Sequence, residues 1–90
     1  EAMAHDAVAQ AEFVRKKYSE AAEYFKKAIE AQPDPVRMLK AGNAYRLAKK
    51  YDEAIAMFDQ AIASPEASEQ VKSMANSEKK QALQSKESGA

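Results

Sequence analysis

Three carboxamides recur at a fixed interval in this chain: Gln10, Asn43 and Asn76 stand 33 residues apart. A carboxamide both donates and accepts hydrogen bonds, as does every unit of a peptide backbone, so a row of them is suited to gripping a main chain. Cations gather around the later members of the row, namely Arg46, Lys72, Lys79 and Lys80, with Glu69 as the main opposing charge. That neighbourhood favours acidic side chains or a free C-terminal carboxylate. The competing reading is plain solvation. Asn and Gln are ordinary helix-surface residues, and a doublet such as Lys79 and Lys80 in "NSEKKQALQ" also reads as a solvated face.

Little else in the chain has the spacing of chemistry. His5 is the single histidine and there is no cysteine, so no metal-ligand pattern exists and no metal or cofactor is expected. With Gly42 and Gly89 as the only glycines, a phosphate-cradling loop is excluded, and no Ser or Lys stands in a nucleophile's setting. The carboxylate pairs Glu20 with Glu23 and Asp52 with Glu53 fall at helix starts, where they complement the helix dipole. No catalytic constellation emerges, and the expected function is not enzymatic.

The bulk numbers narrow the partners further. Fourteen basic and fourteen acidic side chains cancel in 90 residues, giving no electrostatic reason to expect nucleic acid or an anionic membrane. No apolar run approaches the roughly 20 residues that span a bilayer. With 46% hydrophobic and 31% charged residues the composition fits one small soluble domain. Cytoplasm, periplasm and organelle lumen all remain compatible, the cytoplasm being the default.

The elements that position these residues are written twice. At a shift of 33 residues, Tyr18 falls on Tyr51, Glu20 on Glu53, Ala21 on Ala54, Phe25 on Phe58, Ala28 on Ala61 and Ile29 on Ile62, with no gap. Repetition at this period signals stacked supersecondary units. In each unit apolar residues recur at helical spacing, as in Ala54, Met57, Phe58, Ala61 and Ile62, and a second helical stretch lies upstream across the turns "RKKYS" and "KKYD". Each unit is therefore a helix pair. Asp34 and Pro35 suit the start of the third helix, and Ser19 and Asp52 are the expected caps of the second and fourth. Beyond Pro65, Val71, Met74, Ala75, Ala82 and Leu83 share a stripe in a closing helix whose other faces are charged. The expected organisation is one domain over residues 1–84. It holds a first unit at about 2–34, a second at about 35–66 and the closing helix at about 67–84, and a flexible tail follows at 85–90.

In "AGNAY...KKYDEAIAMFDQAI" the chain resembles the tetratricopeptide repeat family, with Gly42, Tyr45, Tyr51, Ala54, Phe58 and Ala61 at the places of its pattern. Tyr18–Pro33 matches less completely. The resemblance implies an all-α fold, two helix-turn-helix repeats and a capping helix forming a short right-handed α-solenoid. Gly42 against Ala54 is the expected close contact between helices, and Ala9 takes the Gly42 part in the first unit. There are departures: the family's unit has about 34 residues, His5 and Met38 sit where it has a large aromatic, and Glu12 replaces the tyrosine seen as Tyr45.

In that family the first helices of successive units line a concave groove that holds a peptide or a partner's helix. Carried over to this chain, the resemblance implies a binding groove of Gln10, Phe13, Leu39, Asn43, Arg46, Leu47, Lys72, Asn76 and Lys79, with Asp6, Val14 and Lys80 adjoining. Some members clamp a C-terminal carboxylate; Asn43 fits that set, but Asp6, Leu39, Ser73 and Glu69 occupy other clamp places and argue against it. The implied function is a protein-interaction module for a protein or peptide segment with acidic character. The alternative is a structural element that packs on the rest of a longer chain or self-associates.

Overall fold

The computed structural model describes residues 2–89, which form five α-helices: α1 (Ala2–Val14), α2 (Tyr18–Ala31), α3 (Pro35–Leu47), α4 (Tyr51–Ala63) and α5 (Glu69–Glu87). Each helix packs on the next, and α3 also touches α5. The molecule measures 37 × 30 × 17 Å. Since packed helices lie about 8–10 Å apart, the shortest dimension holds two helix layers and no third. The first helices of the units and α5 therefore form one layer, backed by α2 and α4.

Local chemistry starts these helices in two different ways. Asp34 Oδ1 accepts from the N–H groups of Val36 at 2.8 Å and Arg37 at 3.2 Å, while Pro35 supplies a pre-set first turn. Ser68 does the same for α5, accepting from Val71 N–H at 3.1 Å. At α2 and α4 the expected side-chain caps are absent. Lys17 and Lys50 occupy the cap positions without a capping bond, and Ser19 and Asp52 lie inside the first turn. The reason is how the chain arrives. Lys16 and Lys49 take left-handed conformations, with φ of 63° and 64°. This lets Lys17 N–H reach Glu12 C=O and Lys50 N–H reach Tyr45 C=O, each at 2.8 Å, so the ending of one helix sets the start of the next.

The core is built from small residues around two rings. Ala9, Ala21, Ala22, Ala28, Ala41, Ala44, Ala54, Ala61, Ala75 and Ala82 are wholly buried, so helix spacing is set by methyl groups. Phe25 and Phe58 are the largest fully buried side chains. The atoms nearest to a Cβ at Gly42 belong to the ring of Phe58, one turn along α4 from Ala54, the expected partner. A Cβ on Gly42 would stand 2.5, 2.7 and 2.9 Å from three carbons of that ring. Glycine thus makes room for an aromatic face.

α5 runs past its expected end. Ser85, Lys86 and Glu87, which sequence reading assigns to a flexible tail, continue the helix, and Lys86 Nζ pairs with Asp52 on α4. Ser88 then closes it, its hydroxyl donating to Gln84 C=O at 2.8 Å.

Gly42→Ala is expected to lower stability by about 1 kcal/mol or more. Overpacking costs about 1–3 kcal/mol, against a helix-propensity gain of at most about 1 kcal/mol. A urea midpoint equal to or above the parent's would show that the Phe58 ring has room to retreat. Lys49→Gly works the other way: it relieves a left-handed non-glycine residue and is expected to raise stability by less than about 1 kcal/mol. Thermal melts of Lys16→Gly and Lys49→Gly should move together, and a loss at both would mean that the lysine side chains contribute contacts of their own.

Candidate functional site

Helical spacing aligns Met3, Ala7, Gln10 and Val14 along α1. It likewise aligns Val36, Lys40, Asn43 and Leu47 along α3, and Glu69, Ser73, Asn76 and Lys80 along α5. All are exposed except half-buried Asn43. These three lines are the outward faces of the first-layer helices. Their character changes from one to the next: Met3 is 78% exposed, Val14 77%, Val36 45% and Leu47 38%, whereas α5 contributes only polar and charged groups.

The residues expected to line a groove divide accordingly. Gln10, Asn43, Leu47 and Asn76 lie on the outward lines. Phe13, Leu39, Arg46, Lys72 and Lys79 lie one step around each helix, and most are occupied there. Phe13 is half-buried against the core and meets Tyr18 edge-on, with ring centroids 5.2 Å apart. Leu39 is a core residue. Lys79 reaches back to Asp59 on α4 at 2.7 Å, and Lys72 sits 3.9 Å from Glu69 on its own helix. Phe13 and Leu39 thus also serve the packing and Lys79 an ion pair, Leu39 while still lining the depression beside Asn43. Asp6 is paired likewise, accepting from Arg37 Nε at 2.7 Å and so tying α1 to α3.

The carboxamide row is not continuous either. Asn43 opens onto a depression of roughly 310 Å³ at the α3–α5 seam, lined by Val36, Leu39, Lys40, Met74 and Glu78. Asn76 lines a different depression, with Ile62, Lys72 and Lys80. The helical step explains this: the flank of α3 that carries Leu39, Asn43 and Arg46 faces α5, so the equivalent flank of α5, with Lys72, Asn76 and Lys79, faces away from α3. A further depression of roughly 520 Å³, with a mainly apolar lining, lies at the loop edge between Pro33, Met38, Ala63 and Pro65.

Electrostatics concentrates at the seam. Arg46 Nη2 donates to Asn43 Oδ1 at 2.7 Å, while Arg46 Nε and Glu78 Oε1 are buried without a hydrogen-bond partner. Burial pushes the Glu78 carboxyl above its ordinary range, and the positive charge of Arg46 offsets part of that rise. On the other side of α3, burial and then the negative charge of Glu23 push the Tyr45 phenol up; its hydroxyl donates to Glu23 Oε2 at 3.1 Å, joining the two units. Met3, Val36, Lys40, Met74 and Glu78 were not among the expected site residues. The 33-residue register from Asn43 reaches the first three along the outward lines, but Met74 and Glu78 depend on how α5 is turned. Among the described residues no group of His, Cys, Asp and Glu is placed to hold a metal, and no helix is long and apolar enough to cross a membrane.

Glu78 carries a pH signature. Its folded-state pKa is raised, so between the ordinary carboxylate pKa and the raised value the folded protein binds more protons than the unfolded chain, and stability falls as pH rises through that window. Glu78→Gln should remove this fall and be the more stable protein at neutral pH. Urea denaturation of parent and variant from acidic to neutral pH measures it; parallel profiles would mean that the carboxyl is solvated.

Two family models described as tetratricopeptide repeat match residues 2–35 and 38–67. No curated protein and no solved structure gives a match. The repeat matches take in α1 to α4, each covering one helix pair of the 33-residue register, and the second contains the buried Gly42, Tyr45, Ala54, Phe58 and Ala61. The chain belongs to the tetratricopeptide repeat family, whose repeats generally serve as protein–protein interaction modules.

Proposed function

We propose that the chain holds an extended or helical segment of a partner protein across the outward lines of α1, α3 and α5. The observation that carries this is the pairing of exposed apolar groups with a half-buried amide on one layer: Met3, Val14, Val36 and Leu47 surround Gln10 and Asn43 on the two repeat helices. Apolar side chains bordering a few placed polar groups are what peptide grooves use for affinity and register. Toward α5 the surface becomes charged. Lys72 and Lys79 are engaged by Glu69 and Asp59, so the acidic preference rests on Lys40, Arg46 and Lys80.

Asn43 is the central polar contact in this reading, and central contacts carry more energy than rim contacts. The test uses an array of immobilised peptides, acidic and neutral, from which one captured sequence is titrated against variants. Asn43→Ala should weaken binding by about 1–3 kcal/mol, and Lys80→Ala by less than about 1 kcal/mol in a salt-sensitive way. Circular dichroism checks that both stay folded. A parent-like affinity for Asn43→Ala, together with loss of binding in Lys26→Ala on α2, would place the site elsewhere. A protein that captures no peptide and instead sediments as a stable dimer would make the same apolar lines a self-association surface.

A further inference from the structure

The carboxamide row does not present three equivalent groups. A guanidinium has donors only, so the atom of Asn43 that faces Arg46 at 2.7 Å must be the oxygen. With one lone pair of Oδ1 taken by Arg46 and, among the described residues, no partner for either NH2 hydrogen, Asn43 offers outward mainly donors. Among the described residues neither Gln10 nor Asn76 has a side-chain hydrogen bond to fix it. The two are exposed.

Arg46 has a rival acceptor. Glu78 lies across the α3–α5 seam with a buried oxygen that nothing satisfies, and Arg46 keeps a buried Nε that nothing satisfies. The two side chains are not paired within ion-pair distance, although their opposite charges act on each other. Crossing the seam to Glu78 would release the Asn43 oxygen, whereas staying on α3 keeps the amide turned. Both arrangements use groups already at the seam.

We propose that Arg46 is a positioning residue that biases Asn43 as a reader, turning it to donate to carbonyl or carboxylate oxygens of the partner in preference to accepting from its N–H groups, with Glu78 as the competing acceptor that limits this bias. The proposal rests on the groove reading and adds its polarity: the partner presents an acceptor at the α3–α5 seam. Asn76, which lines another depression, has no part in it.

Isosteric change separates the two senses of the amide. The probes are a blocked pentapeptide alternating Asp with Val and its counterpart with Asn in place of Asp, both titrated at constant ionic strength. The parent should bind the acidic peptide at least fivefold tighter, and binding should shift the side-chain NH2 resonances of Asn43. Asn43→Asp keeps an oxygen for Arg46 but replaces the outward NH2 with a second acceptor, so the acidic peptide should lose at least tenfold while the fold is kept. Glu78→Gln, which weakens the rival acceptor, should bind the acidic peptide as tightly as the parent or tighter. In the free protein, Arg46→Met should move the Asn43 NH2 resonances toward those of a freely solvated amide.

Acidic-peptide binding by Asn43→Asp equal to the parent's would overturn the donor bias. Unchanged Asn43 resonances in Arg46→Met would overturn the positioning role even if the peptides bind. If neither peptide binds the parent, the ligand assignment fails along with the groove reading for such segments; a shift in Arg46→Met would then uphold only the Arg46 bond in the free protein.

Discussion

The fold turns on one missing methyl group. Gly42 lets the Phe58 ring lie where a Cβ would collide with it, and this closeness determines how α3 sits on α4. Everything outward follows from it. With Gly42, Tyr45 and Met38 committed to the interior, the helical step leaves Val36, Lys40, Asn43 and Leu47 on the opposite side, and the same step repeated in α1 and α5 aligns their outward faces. The first unit meets the constraint more loosely, with Ala9 at the Gly42 place.

Interior positions were the legible part of the sequence. Phe25 with Phe58 and Ala28 with Ala61 repeat without a gap because a packed core tolerates little change of volume, so its pattern survives in a single chain. The helix starts at Asp34 and Ser68 were legible in kind, since each is a short polar side chain followed by a helical run. The starts of α2 and α4 were not. There the turn is closed by backbone bonds around left-handed lysines, and lysine carries no signal for that conformation.

The site was only partly legible, for a different reason. A repeat register says which helix face a residue occupies, but a long side chain chooses among several neighbours. Lys79 chose Asp59, Asp6 chose Arg37, and Arg46 chose Asn43 three residues behind it. Only the last choice has a sequence signature, the spacing of three between an amide and a guanidinium on one helix. The others depend on how α5 and α1 are turned, where Ala75 and Ala9 are wholly buried.

Where the polar contacts lie has a bearing on how the molecule comes apart. Among the described residues, the side-chain bonds and ion pairs joining different helices run between α1 and α3, α2 and α3, or α4 and α5, through Asp6 with Arg37, Glu23 with Tyr45, Asp59 with Lys79 and Asp52 with Lys86. None joins the two helices of one repeat. Cohesion inside a repeat is therefore apolar, and the electrostatic part belongs to the coupling between neighbours. In a stack whose stability is a sum of unit and nearest-neighbour terms, ionic strength acts mainly on the second kind. Added salt thus acts on the coupling between units before it acts within any unit.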